Sequence, residues 1–132
     1  MSMLRDLRFV RWWLLGGWLA VIAAMVVCLV PGKYVEVPDL NDKVEHATGF
    51  VLLTLWFCSI YRPRRYWMIA LYFLLFGVFI EVMQGAMPFG RDSDIHDVYA
   101  DAAGIVIGVV LALTPLSRWP QWIEAVLSKK NE

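Results

Sequence analysis

Residues 11–32 read RWWLLGGWLAVIAAMVVCLVPG, and no charge falls between Arg11 and the Pro31-Gly32 pair. Crossing a bilayer takes about 20 mostly apolar residues in a helix. This run is long enough by itself. It is too long for the apolar segment of a cleaved leader, is rich in Trp and lacks an A-x-A-like exit, so it reads as a retained span. Three further stretches match it once each takes in a polar or ionisable residue near one end. They are 44–61, 66–84 and 97–115, with the first span at 12–31. The rest of the composition agrees. Hydrophobic residues make up 60% of the 132 and charged residues 18%, at a mean hydropathy of +0.59. A soluble domain of this length has too little interior for that much apolar surface. Disorder is excluded by the same numbers. A nucleic-acid binder is excluded by a net charge of zero without a basic cluster.

The charges supply an orientation. Arg5, Arg8 and Arg11 precede span one, and Arg62, Arg64 and Arg65 join spans two and three. Arg118, Lys129 and Lys130 follow span four. In a four-span chain these segments share one side, and they hold nine of the twelve basic residues. Excess Lys and Arg marks the cytoplasmic face. The expected fold is therefore an all-α bundle of four transmembrane helices with both termini cytoplasmic. The chain forms a single domain. Residues 118–128 carry apolar positions at helical spacing after Ser117, which reads as the cap of a short interfacial helix. Cys28 and Cys58 fall within spans and read as free thiols.

The acids gather at the other end. Counting 1.5 Å per residue from the inner arginines puts His46, Glu81 and Asp101 about 24–25 Å above them, a few Å below the outer boundary. Glu81 and Gln84 share one helical face, Asp97 and Asp101 another, and Asp42 and His46 a third. Carboxylates at such depth are costly in lipid and should face the bundle interior. Glu81, Asp97 and Asp101 are candidate ligands for a divalent cation, because hard cations take carboxylate oxygens. Lys43 and Arg91 are candidate clamps for a phosphate or carboxylate, with Asp42, Gln84 and Ser93 beside them. His46 and Glu81 are candidate acid–base groups, since histidine exchanges a proton near neutral pH. Each has a plainer alternative. Asp94, Ser93 and Asp97 suit capping of the last span, and Glu81 suits an ion pair with Arg91 or Lys43. Gly104 and Gly108 suit close helix packing, within the chain or between two copies as a homo-oligomer. No G-x-S-x-G, H-E-x-x-H, phosphate-cradling glycine loop or CxxC pair is present.

Three blocks resemble the VanZ-like family of small bacterial membrane proteins. Asp42-Lys43-Val44-Glu45-His46 is similar to its D-K-x-x-H, and Glu81-Val82-Met83-Gln84 to its E-x-x-Q. Pro88-Phe89-Gly90-Arg91, followed by Ser93, Asp97, Gly104 and Gly108, is similar to its P-x-x-R and last Gly-rich span. The blocks cover residues 40–110. The family more often has Asn where this chain has Asp101. The resemblance implies a multi-span cell-envelope protein, and the founding member is associated with resistance to the glycopeptide teicoplanin. The expected role is binding or protecting a lipid-linked envelope precursor or phospholipid in a polar pocket at the outer leaflet. Two other classes stay open: an enzyme acting on such a lipid through His46 and Glu81, and a small proton-coupled transporter.

Overall fold

The computed structural model describes residues 3–29, 42–87 and 94–131, and among them every regular element is helical. Five α-helices follow one another: α1 (Val10–Leu29), α2 (Asp42–Ile60), α3 (Tyr66–Ala86), α4 (Ile95–Ala112) and α5 (Trp119–Lys130). Short 3₁₀ turns at Pro63–Arg65 and Pro115–Arg118 lead into α3 and α5. Each turn has a proline at its start, where a missing N–H costs no helical bond. Helices α1 and α4, and α3 with the turn before it, are long and apolar enough to cross a membrane. Helix α2 is comparable in length, but Lys43, Glu45 and His46 lower the hydropathy of its first turns. It is the most enclosed helix, packed most extensively on α4 and also on α1 and α3.

Burial follows from that arrangement. Phe50, Leu53, Phe57 and Cys58 of α2 form the core with Tyr66, Ile69 and Phe73 of α3 and Ile105 and Ala112 of α4. The outward faces of α1, α3 and α4 are equally apolar, with Leu19, Ile22, Leu75, Phe79, Val106 and Val110 exposed. Contiguous apolar surface on that scale is the surface of a protein solvated by lipid. Both cysteines are free thiols, Cys58 buried and Cys28 partly exposed.

Glycines set the closest approach. A Cβ on Gly104 would run into the Ala47 carbonyl oxygen of α2, and one on Gly108 would lie 2.7 Å from Thr54 Cβ. The Gly104–Gly108 strip, suited to close packing within the chain or between copies, is packed here against α2 of the same chain.

The end of the bundle that carries the termini is tied by long-range polar contacts. Leu4 bridges Tyr61, and the Arg5 amide donates to the Ile60 carbonyl at 2.7 Å. The Arg5 guanidinium donates to the Tyr61 carbonyl, the Tyr66 hydroxyl and Ser117 Oγ at 3.0, 2.6 and 3.3 Å. One side chain thus joins the end of α2, the start of α3 and the turn after α4, and it meets carbonyls that a helix terminus leaves unpaired. Ser117 is buried in this cluster and does not cap the tail helix. Thr114 caps the turn before it, its Oγ1 accepting from the Leu116 amide.

The tail helix returns to the start of α1. Glu124 accepts hydrogen bonds from the Arg8 and Phe9 amides, both at 2.9 Å, and from the Trp13 indole at 2.8 Å. Trp119 stacks edge-on to Trp13, at 5.2 Å between ring centroids, and lies 4.9 Å from the Trp56 ring. An anion at a helix N-terminus meets unpaired N–H groups and the positive end of the dipole. Burial pushes the Glu124 carboxyl up, but the Phe9 amide, the Trp13 indole and the Arg8 amide together hold it below its ordinary 4.5. A lowered folded value stabilises the fold at neutral pH, and that contribution fades as pH falls through it. Glu124→Gln should therefore cost about 1 kcal/mol in thermal unfolding at pH 7. The gap to the unmodified chain should close as the titration is carried below pH 4.5.

Candidate functional site

The far end of the bundle collects the heads of α2 and α4 and the last turns of α3. His46 lies one turn into α2 and Asp101 two turns into α4, and both are buried. His46 Nδ1 lies 2.9 Å from Asp101 Oδ1. This pair stands on the same seam as the Ala47–Gly104 contact, so the approach that the glycine permits also brings the two side chains into range. Helix α3 closes the third side at Gly77. A Cβ there would lie 2.7 Å from Asp101 Oδ2, and that oxygen is buried with no hydrogen-bond partner.

A second set of contacts surrounds the first. Asp94 is the N-cap of α4, with extended backbone and a side chain that accepts from the His96 amide at 2.9 Å. That amide, the His96 ring and then Lys43 hold the Asp94 carboxyl down at about 2. Lys43 Nζ lies 3.1 Å from Asp94 Oδ2 and 3.4 Å from Asp97 Oδ1. Glu81 is buried in α3. Its Oε2 accepts from the Asp94 amide at 3.0 Å, and its Oε1 is buried with no hydrogen-bond partner. His46, Glu81 and Asp97 each offer one ligand atom, and these atoms lie within 4.8 Å of one another.

His46, Glu81, Asp97, Asp101 and Lys43, five of the residues singled out in the sequence, thus meet in one place. Two details differ from the sequence reading. The converging donor set is His46, Glu81 and Asp97, while Asp101 stands behind His46 and holds its ring. Gln84 is buried beside Glu81 but turns to α1, where its Nε2 donates to the Cys28 carbonyl at 2.8 Å. It satisfies a carbonyl in the last turn of α1 and fastens that helix to α3. His96, in the first turn of α4, is exposed. Arg91 and Ser93 lie outside the described residues, and of Asp42 only the backbone at the head of α2 is described.

Beside the cluster an open crevice of about 280 Å³ runs between α1, α2 and α3. Its walls are apolar, among them Val27, Leu53, Phe76 and Ile80, and its polar members Glu45 and His46 sit together at the head of α2. Gly49 borders it, and a Cβ there would meet nothing within 4 Å. Sequence reasoning missed this crevice. The one available signal was Gly49, a side chain omitted from the middle of an apolar helix.

The comparisons with known proteins fit this geometry. The family model described as VanZ/LLP1 matches residues 39–117. The chain belongs to that family. The matched segment contains α2, α3 and α4 and all of the clustered residues, and leaves α1 and α5 outside it. No curated protein and no solved structure matches.

The His46–Asp101 pair can be tested by stability. Asp101→Ala leaves the His46 Nδ1–H without its acceptor and should cost about 1–3 kcal/mol. Asp101→Asn keeps an oxygen at the Oδ1 position and should cost less than half as much. Unfolding by denaturing detergent, read as loss of helical signal, measures both.

Proposed function

We propose that this VanZ/LLP1-family chain is a four-span protein of the bacterial cytoplasmic membrane that binds an anionic envelope lipid or lipid-linked precursor at the outer leaflet. One observation carries the reading. The crevice is apolar along its length and ends at Glu45 and His46, one turn or less from Lys43. A hydrocarbon chain suits its walls, and an anionic headgroup suits the lysine above them. Ligand sites of this kind pair an apolar body with a few placed polar groups. Lys43 is tethered to Asp94 and Asp97, yet its side chain remains 46% exposed, so it can share its charge with a ligand. Bound in this way, a precursor would be withheld from an agent that attacks it from outside, consistent with the resistance associated with the family.

Helix α2 is read as the fourth span because it lies inside the bundle, with its charged residues confined to the first turns. Arg5, Arg62 and α5 assemble at one end, and the positive-inside rule places that end in the cytoplasm. A fluorescent protein fused after residue 132 should therefore be bright, and alkaline phosphatase fused there inactive. The same enzyme inserted between residues 33 and 40 should be active. Active phosphatase at the C-terminus would overturn the orientation.

An enzymatic reading is favoured by the His46–Asp101 pair, because a carboxylate on Nδ1 orients an imidazole for proton transfer through the other nitrogen. Both readings share the lipid site and differ in turnover. Binding is measured with a spin-labelled anionic phospholipid and with undecaprenyl phosphate on the detergent-purified chain. Gly49→Phe fills the crevice where there is room for it and should weaken binding at least tenfold. Lys43→Ala should weaken anionic lipids severalfold and leave a zwitterionic lipid unaffected. Unchanged binding by Gly49→Phe would remove the crevice as the site, and product formed from either lipid would select the enzyme.

A further inference from the structure

Three helices bring an imidazole and two carboxylates to one buried point, and one of those carboxylates is incompletely satisfied. Glu81 is 4% exposed, and its Oε1 has no hydrogen-bond partner. Its other oxygen takes a single backbone N–H, from Asp94. A buried carboxylate oxygen without a donor is costly, and a cation removes that cost. Lys43 sits at the rim, with Nζ at 3.1 Å from Asp94 Oδ2 and 3.4 Å from Asp97 Oδ1. It is shared among acids that outnumber it.

We infer that His46, Glu81 and Asp97 form a binding site for a divalent transition-metal cation of the zinc or manganese type. Their ligand atoms already lie within 4.8 Å of one another, a span that one ion bridges at bonds of about 2.0–2.2 Å with little movement. The donor set decides the class of ion. Imidazole suits zinc and other late first-row metals, and carboxylate suits the harder ions. One nitrogen with two carboxylates selects a cation that accepts both, and it disfavours magnesium and calcium, which take oxygen alone.

Asp101 supplies the independent support. A histidine that binds a metal almost always donates its other ring N–H to a carboxylate or carbonyl, which fixes the tautomer and raises the basicity of the ligating nitrogen. Asp101 Oδ1, at 2.9 Å from His46 Nδ1, occupies that place. With the proton on Nδ1, the lone pair is on Nε2. Asp101 is thus a positioning residue and the other three are ligands. Three protein ligands leave a coordination position for a further donor. The inference stands apart from lipid binding, because the ion needs no lipid to bind. Where a lipid does bind, the ion would add a second positive group, beside Lys43, for its phosphate.

The test uses the full chain without a histidine tag, purified in detergent, stripped with a chelator and free of added lipid. Calorimetric titration with Zn²⁺ and with Mn²⁺ should give one ion per chain. Glu81→Gln, which preserves shape, and His46→Ala should each weaken binding at least tenfold. His96→Ala, which removes the exposed histidine, should leave it unchanged. X-ray absorption of the zinc-loaded unmodified chain should show one imidazole among oxygen ligands, a result that depends on no variant folding. Absence of stoichiometric binding would overturn the site and leave Glu81 as a structural group. So would full affinity in Glu81→Gln, or loss of binding with His96→Ala in place of His46→Ala. Lipid binding is read separately through Gly49→Phe, so either conclusion can fail without the other.

Discussion

The close approach of α2 to α4 is the constraint on which the rest of the molecule depends. Gly104 and Gly108 remove the side chains that would hold the two helices apart, and Ala47, Phe50 and Thr54 of α2 fill the strip. Small residues serve this purpose in lipid, where burial of apolar surface gives helices little reason to associate and packing must supply it. The seam continues upward without a break. Ala47 is followed toward the end of the bundle by His46, and Gly104 by Asp101, one turn above it. A pair separated by 55 positions in sequence therefore meets at 2.9 Å. Gly77 on α3 is the third notch, against the second Asp101 oxygen. A polar cluster inside a lipid-solvated bundle exists here because three glycines let its walls close.

The two ends of the bundle treat their carboxylates differently. At the end with the termini, Arg5 reaches the Tyr61 carbonyl, the Tyr66 hydroxyl and Ser117, and Glu124 takes three donors at the start of α1. Those contacts complete helix ends and fix how the elements sit. At the other end Glu81 and Asp101 each keep a buried oxygen without a partner. Native proteins rarely leave such atoms unsatisfied, and where they do, the position usually serves a purpose other than stability. The contrast between scaffold and site lies in these acids: Glu124 is half-buried with three donors, whereas Glu81 and Asp101 are buried, each with an oxygen left over.

Much of this was legible in the sequence. Apolar runs located the helices, and counting residues from the inner arginines put His46, Glu81 and Asp101 at one depth. Asp94 announced itself as a cap by its place before a helical pattern. Rotation about each helix axis was not legible. Helices α1 and α3 are apolar on nearly every face, so their patterns do not say which side meets a neighbour. That is why Gln84 could be placed beside Glu81 in height but not turned toward Cys28. It is also why Gly77 gave no sign of bordering an acid. The Arg5 and Glu124 contacts join residues more than 50 and more than 100 positions apart, beyond any local pattern.

Asp101 shows how one residue can redirect a shared architecture. An asparagine at this position would also present an oxygen to His46 Nδ1 and orient the ring. The carboxylate adds a charge that orientation does not require, in a pocket already containing Glu81 and Asp97. Its surplus oxygen lies against the bare backbone of Gly77, where no donor answers it. The extra charge therefore acts through the imidazole. The close seam between α2 and α4 is what lets that single hydrogen bond form.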